Sequence, residues 1–321
     1  MSTLHDALAQ IQHGAEPGFA STRLGTDLGP VRRRVRRDRG VAYAAGTVAV
    51  AAVSAGALYG YDALSLGATS VGPAGTGTTQ EATSPSPTAT ASSPADGGTI
   101  LQDENLGIVA GSTASEVAFD LAERFDVEFQ VAFDALKDAA PEGDPEGWVA
   151  PGVYELPAGS TLDEVAAQMI ASREPDLEAL GVTDEDANQV LTLASLIERE
   201  AKRDEDRAMI SAVLHNRLEQ DMALQLDSTV KYLSGDEEVF TSDEEREIDS
   251  PYNTYLYQGL PPGPIANPSD ESIEAALDPA DSDALYFVMV DLDTGETLFA
   301  SDYDEHLENV ALLQEWFEAN G

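Results

Sequence analysis

The sequence contains no cysteine, and this absence removes several kinds of chemistry at once. Disulfide bonds, thiolate nucleophiles and cysteine-based metal sites are all excluded. Basic residues are also scarce, with 17 Lys and Arg against 59 Asp and Glu, which gives a formal net charge of −42. Because so acidic a surface repels phosphate backbones, we expect no binding to nucleic acid.

The few basic residues cluster near the N-terminus, immediately before an uncharged segment. Residues 32–39 read RRRVRRDR, and residues 40–61 form a run of 22 residues without Asp, Glu, Lys or Arg. A helix of that length can cross a hydrocarbon core about 30 Å thick. The long polar region before the run disfavours a signal peptide, and the adjacent Arg cluster disfavours a buried soluble helix. We therefore predict a transmembrane helix over residues 40–61.

The charge asymmetry around this segment also predicts its orientation. Positively charged flanks remain in the cytoplasm, so residues 1–39 are predicted to be a cytoplasmic tail and the rest of the chain to lie outside a cell membrane crossed once. Residues 62–98 are rich in Ser, Thr, Pro, Ala and Gly and cannot build a core. They are predicted to form a disordered linker.

Two α+β units are predicted after the linker, over residues 99–178 and 179–321. The first combines two strand patterns with helices, one of which has Ser112 or Thr113 as its N-cap. The second begins with a long helix near Thr183 and continues with a helix over residues 205–220. It ends with a β-hairpin in ALYFVMVDLDTGETLFAS and a last helix.

The helical segment LASLIERE carries two carboxylates near its end, Glu198 and Glu200. At 100° per residue they lie about 160° apart on the helix, so they are not a catalytic pair. Glu198 shares its side with small and apolar residues, where burial would raise its pKa as a general acid requires. The competing interpretation is an exposed Glu198 paired with Lys202. Glu200 falls near Arg203 and is predicted to be a surface charge.

Downstream segments supply groups of the kind that hold sugars. The loop GLPPGPIANP at 259–268 is stiffened by its prolines, and could equally be a rigid connector. Stacking rings, amides and a carboxylate precede it, and we predict that they bind substrate. These residues are Gln225, Asp227, Tyr252, Asn253 and Tyr255.

Taken together, these motifs resemble the bacterial endolytic murein transglycosylases of the MltG (YceG-like) type. The resemblance rests on the helix with Glu198, the segments at 224–230 and 252–255, the proline-rich loop and Tyr-x-Glu-His at 303–306. The sequence departs from the family at Ser228, where Pro is usual, and at Ala201, where Thr or a similar residue is usual. Neither departure removes a catalytic group.

The resemblance implies a membrane-anchored lytic transglycosylase that cleaves MurNAc–GlcNAc bonds in nascent glycan strands and ends their elongation. It implies that Glu198 is the catalytic residue, protonating the glycosidic oxygen and then accepting the proton of the C6 hydroxyl to give 1,6-anhydroMurNAc. Residues 99–178 would be a LysM-like module. Peptidoglycan synthases, the penicillin-binding proteins, are the implied partners, and no cofactor or metal is implied.

Two other functions remain open from the sequence. A non-catalytic peptidoglycan-binding or scaffold protein could use the same fold. A muramidase that hydrolyses the same bond would need a second carboxylate, and Asp227 is the candidate for that role.

Overall fold

The computed structural model describes residues 22–23, 99–100, 102–235 and 242–320. None of the helices in these ranges is both long enough and apolar enough to cross a membrane. The predicted transmembrane helix at 40–61 and the predicted linker at 62–98 lie outside the described residues. The described part mixes helices and sheets, and the prediction of an α+β fold is confirmed.

Residues 102–179 form a two-stranded sheet with four α-helices. The strands are β2 (Glu104–Ile108) and β3 (Gly152–Leu156), which pair antiparallel with Leu106 opposite Tyr154. The helices are α1 (Ala114–Phe125), α2 (Phe129–Ala139), α3 (Leu162–Ala171) and α4 (Arg173–Ala179).

Helix α1 begins where the sequence predicts, with Thr113 as its N-cap. The Thr113 hydroxyl accepts from the backbone N–H of Glu116, whose side chain accepts from the Thr113 N–H, so the two form a capping box. The apolar side of this helix, with Val117, Leu121 and Phe125, is buried in a core shared with α2, α3 and the sheet. The predicted helical spacing of these residues is confirmed.

The described residues after 180 form a second core around one long helix. The helices are α5 (Asp184–Glu200), α6 (Arg207–Glu219), α7 (Asp227–Ser234), α8 (Asp243–Arg246), α9 (Asp270–Leu277) and α10 (Tyr303–Asn320). Helix α5 packs against α6, α7 and α9. The predicted hairpin is confirmed as β5 (Tyr286–Asp291) and β6 (Glu296–Ala300), with α10 packed on it.

Hydrogen bonds of Asn267 in the proline-rich loop join the two parts of the chain. Its backbone N–H donates to Ser112 O at 2.7 Å, and its backbone carbonyl accepts from the Gly111 N–H at 2.8 Å. Its side-chain oxygen accepts from the Val149 N–H at 3.0 Å. The buried guanidinium of Arg173 adds a bond to Pro268 O at 2.7 Å. The loop is therefore fixed on the surface of the first core.

Gly147 lies directly beneath the same loop. Its φ of +79° is in the region that favours glycine, and a Cβ placed there would lie 2.5 Å from Cγ of Pro264. Glycine at this position thus permits both the backbone turn and the close approach of the proline ring.

A pair of two-residue strands connects distant parts of the sequence. Strand β1 (Thr22–Arg23) runs parallel to β4 (Tyr257–Gln258). This pairing requires the two strands to lie on the same side of a membrane. The predicted topology places residues 1–39 and residues 179–321 on opposite sides, so the two cannot both hold. A ladder this short contributes little by itself, because isolated two-stranded pairs are marginal in water.

Candidate active site

Helix α5 presents its two terminal carboxylates to different neighbours. Residues from Leu191 to Ile197 are all buried, which places the end of the helix in the second core. Glu198 contacts the start of α9, whereas Glu200, the last residue of α5, contacts the start of α7. The prediction that the two carboxylates do not form a pair is confirmed.

The Glu198 carboxylate is enclosed by four donors. Oε2 accepts from the Ser269 hydroxyl at 2.5 Å, the Ser269 N–H at 3.0 Å and the Ser272 hydroxyl at 2.7 Å. Oε1 accepts from Nη2 of Arg207 at 3.1 Å. The two side chains are only 8% and 11% exposed, so this is a buried ion pair. The alternative pairing of Glu198 with Lys202 is not observed, since the Lys202 ammonium donates to Leu292 O.

These contacts hold Glu198 in its charged form. Burial alone would raise its pKa, but the hydrogen bonds from Ser269 and Ser272 and the charge of Arg207 lower the pKa below the ordinary value. Such a carboxylate is a poor proton donor near neutral pH. The rise in pKa that the sequence predicts for Glu198 is therefore reversed by these donors.

The environment of Glu200 corrects the prediction that it is a surface charge. Its side chain is partly buried, and Oε1 accepts from the Ser228 hydroxyl at 2.6 Å. Ser228 is the second residue of α7, 28 positions along the chain, so the contact depends on how the two helices pack. The helical wheel identified the side of α5 on which Glu200 lies but not what covers that side.

The protonation behaviour of Glu200 is the opposite of that of Glu198. Burial raises the pKa of Glu200 from 4.5 to about 7, and the nearby charge of Asp227 acts in the same direction. The hydrogen bond from Ser228 and the charge of Arg199 oppose this rise. A carboxyl group with this pKa can both give and take a proton at neutral pH.

Asp227 lies beside Glu200 and is held by two partners. Its Oδ1 accepts from the Tyr255 hydroxyl at 2.5 Å and from Nη2 of Arg246 at 3.2 Å. The Arg246 guanidinium also stacks over the Tyr255 ring at 4.8 Å from the centroid. Of the predicted substrate-binding residues, Asp227 and Tyr255 are therefore in direct contact with each other.

Three further residues predicted to bind substrate occupy different positions. Gln225 is partly exposed, and its N–H donates to Thr254 O at 3.1 Å. The partly buried ring of Tyr252 packs against Tyr232 at 5.5 Å between centroids. Asn253 is completely buried, and its amide donates to Arg246 O and Ile248 O, both at 2.9 Å. Asn253 thus shapes the loop rather than presenting its side chain to a ligand.

Two arginines of this region were not identified from the sequence. Arg207 pairs with Glu198, as described above. Arg217 on α6 is buried, donates to Leu224 O at 2.8 Å and Leu285 O at 2.6 Å, and interacts electrostatically with Glu200. Both lie on α6, which is buried on more than one side, and no local pattern in the sequence distinguishes them from surface arginines.

Glu146 is another carboxyl group whose pKa is raised. Burial raises the pKa of Glu146 to about 7, although the Ala114 N–H donates to it at 3.0 Å. The Tyr232 hydroxyl is a further donor at 3.4 Å. Because Glu146 is buried at the N-terminal end of α1, we regard it as a structural carboxyl group.

The fold and the site define an α+β protein with a partly buried carboxyl group, at the end of a core helix, that can exchange a proton near neutral pH. The chain belongs to the YceG-like family, whose sequence model matches residues 84–312.

Curated relatives of the chain are known from two bacteria. It is 34% identical over 174 residues to the endolytic murein transglycosylase of Streptococcus pneumoniae strain D39, covering 51% of this chain and 31% of that protein. It is 39% identical over 165 residues to the endolytic murein transglycosylase of Bacillus subtilis strain 168, covering 50% of this chain and 45% of that protein. The matches thus span less than half the length of these relatives.

A solved structure shares the fold. It is the crystal structure of a YceG-like protein from Listeria monocytogenes, with a TM-score of 0.57 and 32% sequence identity. The match covers 64% of this chain and 75% of that one.

Proposed function

We propose that this chain is an endolytic lytic transglycosylase that cleaves MurNAc–GlcNAc bonds in peptidoglycan strands and leaves 1,6-anhydroMurNAc ends. The names of the curated relatives support the activity and the substrate class. The observation that carries the proposal is the Glu200 carboxyl group, which is partly buried, hydrogen-bonded to Ser228, and has a pKa of about 7.

The reaction needs one group that is first an acid and then a base. Glu200 donates its proton to the glycosidic oxygen as the bond between that oxygen and C1 breaks. The resulting carboxylate accepts the proton of the MurNAc C6 hydroxyl as its oxygen bonds to C1. No water is consumed, and Glu200 returns to its protonated form. A pKa near 7 suits both steps, because neither protonation state is strongly disfavoured.

The residues around Glu200 have supporting roles in this proposal. Gln225 and Tyr252 are partly exposed and offer an amide and a ring to the glycan. Asp227, held by Tyr255 and Arg246, helps to keep Glu200 protonated. The role of catalytic acid that the sequence resemblance implied for Glu198 is kept as the alternative assignment.

Two substitutions separate these assignments. Glu200→Gln keeps the shape of the side chain and removes the exchangeable proton, so we expect loss of activity by at least about 100-fold without loss of folding. Glu198→Gln removes the buried one of the two carboxylates paired with Arg207 and leaves only the exposed Asp204, so we expect destabilisation, with measurable cleavage by the fraction that remains folded. The measurement is mass spectrometry of products from uncrosslinked glycan strands, with circular dichroism to follow folding.

The products also distinguish the competing functions. Anhydro ends that disappear in Glu200→Gln would support the proposal, whereas an active Glu200→Gln and a folded but inactive Glu198→Gln would return the acid role to Glu198. Reducing ends would indicate a muramidase in which Asp227 is the second carboxylate. Complete absence of cleavage by the wild-type chain would favour a non-catalytic peptidoglycan-binding protein.

We further propose the cellular arrangement that the sequence predicts. Residues 40–61 anchor the protein in the cell membrane by a single span, with residues 1–39 in the cytoplasm. A LysM-like module at 99–178 contacts glycan, and residues 179–321 cleave it. Proximity to peptidoglycan synthases would allow the enzyme to end the elongation of nascent strands.

A further inference from the structure

Ser228 lies at the start of α7, where its side chain contacts Glu200. Helix α7 begins at Asp227, so Ser228 occupies the first turn, where backbone N–H groups have no partner within the helix. Both its hydroxyl and its backbone N–H are hydrogen-bond donors to Glu200. The hydroxyl bond to Oε1 is 2.6 Å long and partly buried, a length typical of a hydroxyl that donates to a carboxylate oxygen.

We propose that Ser228 is a positioning residue that holds Oε1 of Glu200 as a fixed acceptor and thereby assigns the exchangeable proton to Oε2. This inference rests on the proposed function, in which Glu200 is the acid and base. A carboxyl group free to rotate could carry its proton on either oxygen, and only one of them can face the glycosidic bond at a time. Fixing one oxygen therefore orients the other.

The same hydrogen bond adjusts how readily Glu200 gives up its proton. Hydrogen bonds donated to a carboxylate favour the charged form. Other charged and titratable groups also interact electrostatically with Glu200. They are Arg199 on the same helix, Arg217 on α6, Asp227 on α7 and Tyr255 in the segment before β4. Burial and Asp227 raise the pKa of Glu200, so Ser228 counteracts a rise that would otherwise leave the acid unable to ionise in the second step.

Three substitutions at this position form a graded series. Ser228→Ala removes the hydroxyl and keeps the backbone donor. Ser228→Pro removes both donors, and proline is tolerated in the first turn of a helix. Ser228→Thr keeps both donors and serves as the conservative rescue.

The experiment is the pH dependence of kcat/KM for release of anhydro-ended products by the full chain. We expect the ionisation of the essential acid to move up by about half to one pH unit in Ser228→Ala. The shift should be larger in Ser228→Pro and absent in Ser228→Thr. We also expect kcat at the optimum to fall roughly tenfold in Ser228→Ala because the proton is no longer held on one oxygen.

The matched control is Ser269, one of the two serines that bind Glu198, the other carboxylate of α5. Ser269→Ala removes the hydroxyl bonded to Glu198, so it should leave the ionisation of the essential acid in place. If the profiles of Ser228→Ala and Ser228→Pro coincide with that of the wild type, the proposal for Ser228 is wrong, even when Glu200→Gln is inactive. A shift in Ser269→Ala with none at position 228 would instead move the acid role to Glu198 and overturn the assignment of Glu200 itself.

Discussion

At the scale of single residues, Glu198 and Glu200 show how two identical side chains acquire different chemistry. They are two positions apart at the end of α5. The Glu198 carboxylate accepts hydrogen bonds from four donors, whereas Glu200 is bound by Ser228 and lies beside Asp227. Both are shielded from water, which disfavours charge in each case. The number and charge of the donors decide the outcome, since they outweigh burial only at Glu198.

The raised pKa of Glu200 predicts a specific dependence of stability on pH. A carboxyl group whose pKa is higher in the folded state favours folding when it is neutral. Its contribution is therefore complete below the unfolded pKa of 4.5 and is lost as the pH rises through about 7. The free energy of unfolding of the wild type, minus that of Glu200→Gln, should fall by up to about 3 kcal/mol across this window.

This difference can be measured by urea denaturation at several pH values. Taking the difference between the two proteins cancels the contribution of Glu146, whose pKa is shifted in the same direction. A difference that stays constant between pH 4.5 and 7 would show that Glu200 ionises as it does in the unfolded chain.

The candidate site was only partly predictable from the sequence. Helical periodicity was enough to place Glu198 and Glu200 on different sides of α5, because that depends on local geometry alone. The partners, however, come from positions 207, 228, 269 and 272, and their arrival depends on tertiary packing. The assignment of Glu200 to the surface was wrong for this reason, since no local pattern reveals that the start of α7 covers it.

At the scale of elements, the site depends on how the segment before β4 is held against α7. Hydroxyl groups of Thr229 and Thr254 lie 2.9 Å apart, and the Leu226 N–H donates to Thr254 Oγ1 at 2.9 Å. Asn253 completes the arrangement by binding two backbone carbonyls and accepting from the Tyr255 N–H at 3.0 Å. Tyr255 in turn fixes Asp227 beside Glu200.

We predict that Asn253→Ala destabilises the protein by about 2 kcal/mol or more. The substitution leaves two partly buried backbone carbonyls and one buried backbone N–H without their Asn253 partner, and a buried group left in this way costs about 1–3 kcal/mol. Denaturant unfolding gives the magnitude, with Asn320→Ala as the control, because Asn320 is exposed and its amide donates to Trp316 O at the end of α10. A change below about 0.5 kcal/mol at position 253 would mean that the loop is held by other contacts.

Most helices and strands were predictable because their signals are local. Thr113 caps α1, alternating apolar residues and a Gly-containing turn form the β5–β6 hairpin, and an acidic first turn begins α5. Asp293, Thr294 and Gly295 lie in the hairpin turn, where the Asp291 carboxylate accepts from two backbone N–H groups. The attachment of the proline-rich loop through Asn267 was not predictable, because its partners are more than 100 positions away.

At the scale of the whole molecule, charge is divided sharply along the chain. Seven Arg and four acidic residues precede Asp62, whereas ten basic and 55 acidic residues follow Tyr61. This division is the basis for placing residues 1–39 in the cytoplasm and the remainder outside. The β1–β4 pairing would instead require both parts to be in one compartment.

The absence of cysteine allows a direct test of this topology. Single substitutions Ser21→Cys and Ser301→Cys introduce one thiol each, on the two sides of the predicted membrane span. We expect a membrane-impermeant maleimide to label position 301 in intact spheroplasts and position 21 only after permeabilisation. Labelling of both positions in intact spheroplasts would contradict the anchored topology and favour the β1–β4 pairing.

The contact between Gly147 and Pro264 limits how this protein can be recombined. The two residues belong to different parts of the chain, but the proline ring occupies the space that any side chain at position 147 would need. A chimera in which residues 99–178 are exchanged for those of another protein must therefore supply a glycine at this point. Without that glycine, the exchanged segment would displace the proline-rich loop. Residues 99–178 and 179–321 would then fit together only after compensating changes in both.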